Sequence, residues 1–173
     1  MSTELPDRVD FIDRRITGWM AAHGVRLTRL GLGLVFLWFG IIKLGPGWSP
    51  ATDLAGRTIE VLTLGLVEPA VGVPILAVWE TLIGLGLLTG RFLRATLFLL
   101  FVQMPGTMLP LFLFPAETFN AFPHAPTLEG QYIVKNFVLV GAAIVVGATV
   151  RGGRLEAEAE AEEQAEAEAR ADP

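Results

Sequence analysis

Cysteine is absent from the sequence. Its absence excludes disulfide bonds, thiol-based redox chemistry, thiolate catalysis and iron–sulfur ligation by this chain. Histidine occurs only twice, at His23 and His124. The topology derived below puts these two on opposite sides of a membrane, where they cannot bind one metal ion or one haem together. We therefore expect this chain to hold no metal, haem or iron–sulfur cofactor.

Acidic residues are scarce until the C-terminal tail. Residues 155–173 contain seven Glu, one Asp and one Arg, a charge of −7, so the rest of the chain carries +2 and the whole chain −5. The tail alternates Glu with Ala and places like charges such as Glu156 and Glu160 one helical turn apart, where they repel each other. We expect residues 152–173 to form a disordered or marginally helical acidic tail in water.

Long polar stretches are also few, since 52% of the residues are hydrophobic. A helix that crosses a bilayer needs about 20 mostly apolar residues. Four stretches meet this requirement: about 28–45, 70–89, 94–114 and 131–150. Little amphipathic sequence is left to cover four such helices in a soluble protein. The sequence predicts an all-α fold, an integral membrane four-helix bundle that forms one domain over residues 28–151.

The arginines around these stretches are unevenly distributed. Nine lie at or before the start of the first stretch, between the second and third, or after the fourth: Arg8, Arg14, Arg15, Arg26, Arg29, Arg91, Arg94, Arg151 and Arg154. The two remaining loops contain Arg57 alone. Because basic residues accumulate on the cytoplasmic side of membrane proteins, we expect both termini in the cytoplasm.

Apolar side chains recur at helical spacing before the first span: Val9, Ile12, Ile16, Trp19 and Met20. Arginines occupy other positions around the same helix. This pattern predicts an interfacial amphipathic helix within a cytoplasmic N-terminal segment, residues 1–27. A helix that binds a partner protein is the alternative interpretation.

Local signals also mark the connections between spans. Gly90 predicts the left-handed residue that ends the second span before a short turn. Ser49 and Pro50 predict an N-cap and first residue of a short helix on the outer surface. The second outer loop, residues 115–130, contains three prolines and is expected to have an irregular backbone.

Glu80 is the first of several charged or polar residues at membrane depth. It lies near the middle of an apolar stretch, where an ionisable residue costs roughly 2.5–3.5 kcal/mol on insertion scales. An ionisable side chain retained there indicates a functional site. Glu80 is expected either to pair with a cation or to stay protonated and hydrogen-bonded.

Lys43 and Lys135 lie near the outer ends of the first and fourth spans. Cβ atoms tilt toward the N-terminus of a helix. The first span runs outward and the second inward, so Lys43 leans into the membrane and Glu80 leans toward it. We therefore predict that these two side chains pair. Lys135 leans toward the outer water, and a lysine that snorkels to the interface is the simpler interpretation.

The third span contains Gln103 at a depth similar to that of Glu80, followed by Pro105 and Pro110. Prolines inside a helix free carbonyl groups, which membranes tolerate only beside protein or a wet cavity. We predict a quinone-sized polar pocket that opens toward the outer half of the membrane and is formed by Lys43, Glu80 and Gln103. The candidate site as a whole is a ligand-binding or buried polar cluster: Lys43, Glu80, Gln103, Lys135 and Asn136. A proline kink stabilised by one interhelical hydrogen bond is the alternative.

Three segments resemble the DoxX family of small four-helix membrane proteins. They are Arg29-Leu-Gly-Leu-Gly-Leu-Val-Phe36 leading to Gly40 and Lys43, then Glu80 with Gly84, Gly86, Gly90 and Arg94, and finally Glu129-Gly-Gln-Tyr-Ile-Val-Lys135-Asn136. The resemblance covers about residues 28–151 and implies a bacterial inner-membrane bundle. Some DoxX relatives are subunits of quinone-linked sulfur oxidation, and others are linked to oxidoreductase assemblies in redox-stress defence.

Two functions follow from these expectations. The first is a quinone-interacting protein or membrane subunit of a redox assembly, which needs a redox partner protein because the chain has no cysteine. The second is a non-enzymatic membrane scaffold or assembly factor, in which the polar residues only hold helices together. In both cases we expect the lipid bilayer as a partner and no nucleic acid, and a homo-oligomer stays open.

Overall fold

The structure is a computed structural model that describes residues 4–45 and 47–153, with side chains from residue 11 onward. The predicted acidic tail from residue 154 onward lies outside the described residues. The elements follow in chain order: α1 (Glu4–Leu44), α2 (Thr52–Leu62), α3 (Pro69–Thr89), α4 (Leu93–Met108), α5 (Pro110–Leu113), α6 (Pro115–Thr118), β1 (Phe119–Ala121), β2 (Ala125–Pro126), α7 (Leu128–Val134) and α8 (Asn136–Ala148).

Four helical stretches are long and apolar enough to cross a membrane: Phe11–Leu44, Pro69–Thr89, Leu93–Leu113 and Leu128–Ala148. The second and third agree with the predicted bounds to within about one residue, and the fourth begins a little earlier than predicted. α1 packs against α3 and α8, and α4 packs against the same two helices, so the four spans close into a ring. The predicted helical bundle of four candidate spans is therefore confirmed.

The core lies inside this ring and is contributed by all four stretches. Its buried residues are Leu32, Phe36, Ile83, Leu87, Leu97, Leu100, Met104, Ala143 and Val146. Many large apolar side chains instead point outward, among them Ile75, Val78 and Leu82 of α3, each more than half exposed. An apolar exterior around an apolar core is the pattern expected of helices that face lipid.

Glycines bring α1 and α3 into contact backbone to backbone. A Cβ atom at Gly40 would lie 2.6 Å from the backbone nitrogen of Thr81, and one at Gly84 would lie 2.6 Å from Cα of Leu37. Neither contact can be relieved by moving a flexible side chain. This close approach is what lets residues near the end of α1 reach the middle of α3.

α3 ends at Gly90, which has φ 71° and donates to the carbonyl of Gly86, as predicted. Nη1 of Arg29 hydrogen-bonds the carbonyl of Leu87 and lies 3.4 Å from that of Leu88. A cation beside the last carbonyls of a helix stabilises its negative end. These contacts fix residue 29 at the level where α3 ends. We call this end of the bundle, where the Gly90 turn and the last described residues lie, the terminal face.

α1 does not break where the N-terminal segment was expected to meet the first span. The helix is continuous over Glu4–Leu44, and the described side chains 11–23 are all exposed. The change from an amphipathic to an apolar pattern near residue 27 alters the surroundings of the helix without altering its backbone. The interfacial segment and the first span are thus one helix that projects beyond the terminal face.

The opposite end, with the two long loops, is called the loop face. The short helix predicted in its first loop is present as α2, but it begins at Thr52 and not at Pro50. Ser49 does not cap it through its side chain, and its carbonyl instead accepts from Oγ1 of Thr52 at 2.8 Å. α2 then packs against the first turns of α3, where Gly56 lies against Pro69.

The second loop is more ordered than its prolines predicted. It forms the short helix α6 and an antiparallel pair of strands, β1 and β2, so the fold is not strictly all-α. Thr127 then caps α7, its hydroxyl accepting from the backbone nitrogen of Gly130 at 3.2 Å. The loop therefore folds back over the bundle before the last span begins.

Arg57 ties the two loops together across the loop face. Its Nη1 donates to Oε1 of Glu117 at 2.8 Å, and its Nε donates to Oδ2 of Asp53 at 3.0 Å. The guanidinium also lies over the ring of Phe114, 4.9 Å from its centroid. Hydrogen bonding between Arg57 and Glu117 raises the pKa of Arg57 and holds the pKa of Glu117 below its ordinary value.

Candidate functional site

Glu80 and Lys43 form an ion pair inside the bundle. Oε2 of Glu80 lies 2.6 Å from Nζ of Lys43, and the two side chains are only 8% and 7% exposed. Nζ of Lys43 also donates to the carbonyl of Phe39 at 3.2 Å, one turn back along α1. The predicted pairing is confirmed, because the side chain of Lys43, near the end of α1, meets the side chain of Glu80, in the middle of α3.

Gln103 completes the coordination of the carboxylate from a third helix. Its Nε2 donates to Oε1 of Glu80 at 2.9 Å, so each carboxylate oxygen has one donor. Its own Oε1 is buried and has no hydrogen-bond partner among the described residues. α1, α3 and α4 therefore meet at a polar cluster made of Lys43, Glu80 and Gln103.

Lys135 lies beside this polar cluster without joining it. It occupies the junction between α7 and α8, and its Nζ lies 3.9 Å from the ring centroid of Tyr132 and 4.7 Å from that of Phe39. Nζ of Lys43 lies 5.7 Å from the same Phe39 ring. Lys135 is thus held against aromatic faces that attract its charge. The sequence predicted a lean of Lys135 toward the outer water but did not predict these aromatic contacts.

Asn136 makes a separate contact. Its Nδ2 lies 3.4 Å from Oγ1 of Thr107, which itself donates to the carbonyl of Met104 at 2.8 Å. This contact joins α8 to α4 at a residue that lies between Pro105 and Pro110. The five predicted site residues therefore divide into the polar cluster of three, a neighbouring lysine and an independent interhelical contact.

A groove of about 400 Å³ runs along the outside of the bundle between α3 and α4. Its lining is apolar: Pro74, Ile75, Val78, Trp79, Leu82 and Leu99. Trp79 closes one side, with its indole nitrogen donating to the carbonyl of Leu99 at 3.1 Å. No residue of the polar cluster lines the groove. It therefore differs in chemistry and position from the predicted polar pocket.

The sequence interpretation missed contacts at two places. At the terminal face it missed the contact of Arg29 with the end of α3, which an arginine within an apolar stretch could have indicated. Beside the polar cluster it missed the contacts of the lysines with Phe39 and Tyr132. Phe39 precedes Lys43 by four residues and Tyr132 precedes Lys135 by three, spacings that put each pair on one helix face. The described residues contain no group of three or more His, Asp or Glu that could bind a metal ion.

Comparison of the chain with family models, with curated proteins and with solved structures found no match.

Proposed function

We propose that the chain is a DoxX-like membrane protein that acts as a non-enzymatic scaffold or assembly subunit. The observation that supports this function best is that the polar cluster is buried and its carboxylate is hydrogen-bonded by the protein itself. Both oxygens of Glu80 already accept hydrogen bonds from protein donors, and the Lys43–Glu80 pair is almost completely shielded. Burial of the pair, and not a lack of acceptor capacity, keeps a substrate away from this carboxylate.

The polar cluster has a clear structural role in such a scaffold. Apolar packing alone tolerates rotation and sliding of one helix against another, whereas polar side chains between spans act as specific links. Glu80 receives one bond from α1 and another from α4. These bonds fix the rotation of three helices at once, and the outer surface offered to a partner protein is fixed with them.

The DoxX resemblance belongs to this proposal. The three resembling segments contribute Lys43, Glu80 and Lys135. The two lysines lie over the ring of Phe39, and Lys43 pairs with Glu80. A family built on four short spans would need such contacts to define one arrangement of its helices. Placement in a bacterial inner membrane, with both termini in the cytoplasm, is part of the same proposal.

A quinone-interacting function is the second candidate, and one observation favours it. Oε1 of Gln103 is buried without a partner, and a buried acceptor without a donor is costly. A quinol hydroxyl group could donate to this oxygen if α3 and α4 separated slightly. Gln103 would then position the head group, and the Lys43–Glu80 pair would supply a nearby proton donor and acceptor.

One experiment distinguishes the two functions. The tagged full-length chain is solubilised gently, and native mass spectrometry and organic extraction identify what stays bound to it. The wild type is compared with Gln103→Leu and with the double variant Lys43→Met/Glu80→Gln, which replaces the ion pair without leaving an unpaired charge.

The scaffold function predicts a stoichiometric protein partner on the wild type and less of it on both variants, since the polar cluster fixes the outer surface that the partner contacts. It also predicts no more quinone than a membrane protein of unrelated fold carries. A quinone near one molecule per chain, lost in Gln103→Leu, would overturn the scaffold function and establish the second candidate.

A further inference from the structure

Lys135 has no counter-ion in the part of the chain that the structure describes. No described carboxylate lies within salt-bridge distance of its Nζ, and the carboxylate of Glu80 is already paired with Lys43. Nζ of Lys43 lies 5.7 Å and Nζ of Lys135 lies 4.7 Å from the centroid of the Phe39 ring. Two cations and one carboxylate therefore meet at this end of the bundle, and one positive charge is left uncompensated.

The position of Lys135 makes this uncompensated charge costly. It lies seven residues after the start of the fourth candidate span, Leu128–Ala148, which is about 10 Å along the helix. A charged side chain at membrane depth is expensive and indicates a functional site. The rings of Phe39 and Tyr132 attract the cation, but they offer no oxygen atom to which its three ammonium hydrogens can donate.

The ammonium group of Lys135 is accessible. The residue is half-buried, and Tyr132 beside it is 51% exposed. Among the described side-chain atoms, only Oε1 of Gln103 is both fully buried and without a hydrogen-bond partner. Nζ of Lys135 also has no partner there, so it cannot be fully buried. A group outside the protein can therefore contact it where α1 meets the junction of α7 and α8.

Two helices hold the ammonium group in place. Tyr132 belongs to α7 and Phe39 to α1, and Nζ of Lys135 lies 3.9 Å and 4.7 Å from the centroids of their rings. A lysine that only snorkels extends freely into water. Lys135 instead presents its charge at a fixed place between two aromatic rings, as a binding site requires.

An anionic lipid supplies what this place lacks. Its phosphate group brings oxygen acceptors and a negative charge together, and charge-assisted hydrogen bonds are about twice as strong as neutral ones. Lipid headgroups already lie at the ends of the spans, whereas a soluble phosphate ion would have to leave water to reach Lys135. The exposed phenol of Tyr132 is a second donor on the same side of α7.

We propose that Lys135, Tyr132 and Phe39 form a site at the loop face that selects the phosphate group of an anionic lipid. A net charge of −1 on the lipid compensates the charge left over by the Lys43–Glu80 pair. A zwitterionic lipid has the same phosphate group, but its own cation cancels this advantage. The site is separate from the polar cluster and from the apolar groove, and it does not depend on the scaffold function.

Photocrosslinking of the full-length chain tests this site. The protein is placed in phosphatidylcholine vesicles that contain a small fraction of photoreactive phosphatidylglycerol, and mass spectrometry maps the labelled peptides. We expect labelling of residues 128–140 to fall about tenfold in Lys135→Met, the size expected for the loss of one charge-assisted hydrogen bond. Photoreactive phosphatidylcholine should label the same residues of the wild type about as weakly.

Two further variants serve as controls. Arg91→Met removes one positive charge at the terminal face and should leave the labelling of residues 128–140 unchanged. Lys135→Arg keeps the charge at the site and should keep most of the labelling. If Lys135→Met does not fold, the comparison of the two lipids on the wild type decides alone.

Equal labelling of the wild type and folded Lys135→Met would overturn the site, as would equal labelling by the two lipids, and Lys135 would then be a lysine solvated by water. Loss of labelling in Arg91→Met as well would mean that charge attracts the lipid without regard to position, which also contradicts the site. Competition by inorganic phosphate would overturn the lipid as the occupant and assign the place to a soluble anion.

Discussion

At the scale of single residues, the Lys43–Glu80 pair explains how a carboxylate can lie in the middle of an apolar helix. Glu80 alone would oppose insertion, but Lys43 and Gln103 give both of its oxygens a donor. Removing one member of a buried ion pair leaves an uncompensated charge, which is more costly than losing the attraction itself. The pair should therefore behave as a unit.

A double-mutant cycle on these two residues tests that coupling. Glu80→Gln and Lys43→Met should each lower the thermal stability of the detergent-solubilised protein, by at most about 3–5 kcal/mol, the range for buried pairs in soluble proteins. The double variant should recover part of the combined loss. Lys135→Met combined with Glu80→Gln is the control, and its effects should add closely because Lys135 contacts aromatic rings and not the carboxylate.

Strict additivity for Lys43 and Glu80 would contradict a coupled pair.

This pairing was predictable from the sequence, because hydropathy identifies both residues and the tilt of the Cβ atoms shows that they converge. The positions of Phe39 and Tyr132 under Lys135 were not, since they depend on side-chain rotamers chosen by packing. The free oxygen of Gln103 is likewise a result of three helices meeting, which no single segment encodes.

At the scale of helices, the contact between α1 and α3 depends on glycine. Hydropathy alone predicted the spans, since length and apolar content are local properties. It did not predict which spans touch most closely, because that depends on small residues facing each other on two helices. Gly40 and Gly84 supply this contact, and each would bring a Cβ atom against the backbone of the other helix.

Gly84→Ala should therefore destabilise the bundle by about 1–3 kcal/mol, the usual cost of inserting a methyl group into a tightly packed contact. Gly31→Ala is the matched control, because its Cβ would meet nothing within 4 Å in the middle of α1. That change should be neutral or slightly stabilising, since alanine favours helix. Both are measured by thermal unfolding in detergent.

Equal losses in the two alanine variants would contradict the α1–α3 contact as the cause, because only a Cβ atom at Gly84 would meet the backbone of the other helix. The helix ends give a complementary lesson. Gly90 was predictable because a left-handed residue has a strong local signature. The late start of α2 was not, since the side chain of Ser49 accepts no capping hydrogen bond and its carbonyl accepts one from the hydroxyl of Thr52.

At the scale of the whole molecule, the distribution of arginine gives the orientation that we propose. Arg91 and Arg151 flank the short turn and the last span at the terminal face, and Arg57 alone lies at the loop face. Arg57 is already engaged by two carboxylates there. The excess of positive charge at the terminal face over the loop face is therefore larger than the count of arginines alone indicates.

Cysteine labelling tests this orientation, and the lack of native cysteine makes each introduced thiol unique. Ser49 and Thr118 are unsuitable loop-face positions because they are only 6% and 0% exposed. Leu66→Cys, at 87% exposure, and Phe92→Cys, at 84%, place the thiol on opposite faces without changing the charge of the chain. Thr17→Cys adds a position on the part of α1 that projects beyond the terminal face.

In intact bacterial spheroplasts, a membrane-impermeant maleimide should label Leu66→Cys and leave Phe92→Cys and Thr17→Cys unlabelled until the cells are lysed. The reason is physical: moving the terminal face outward would carry nine arginines across the membrane against the positive-inside bias, in exchange for the return of one. Labelling of Phe92→Cys and Thr17→Cys before lysis, with protection of Leu66→Cys, would reverse the orientation.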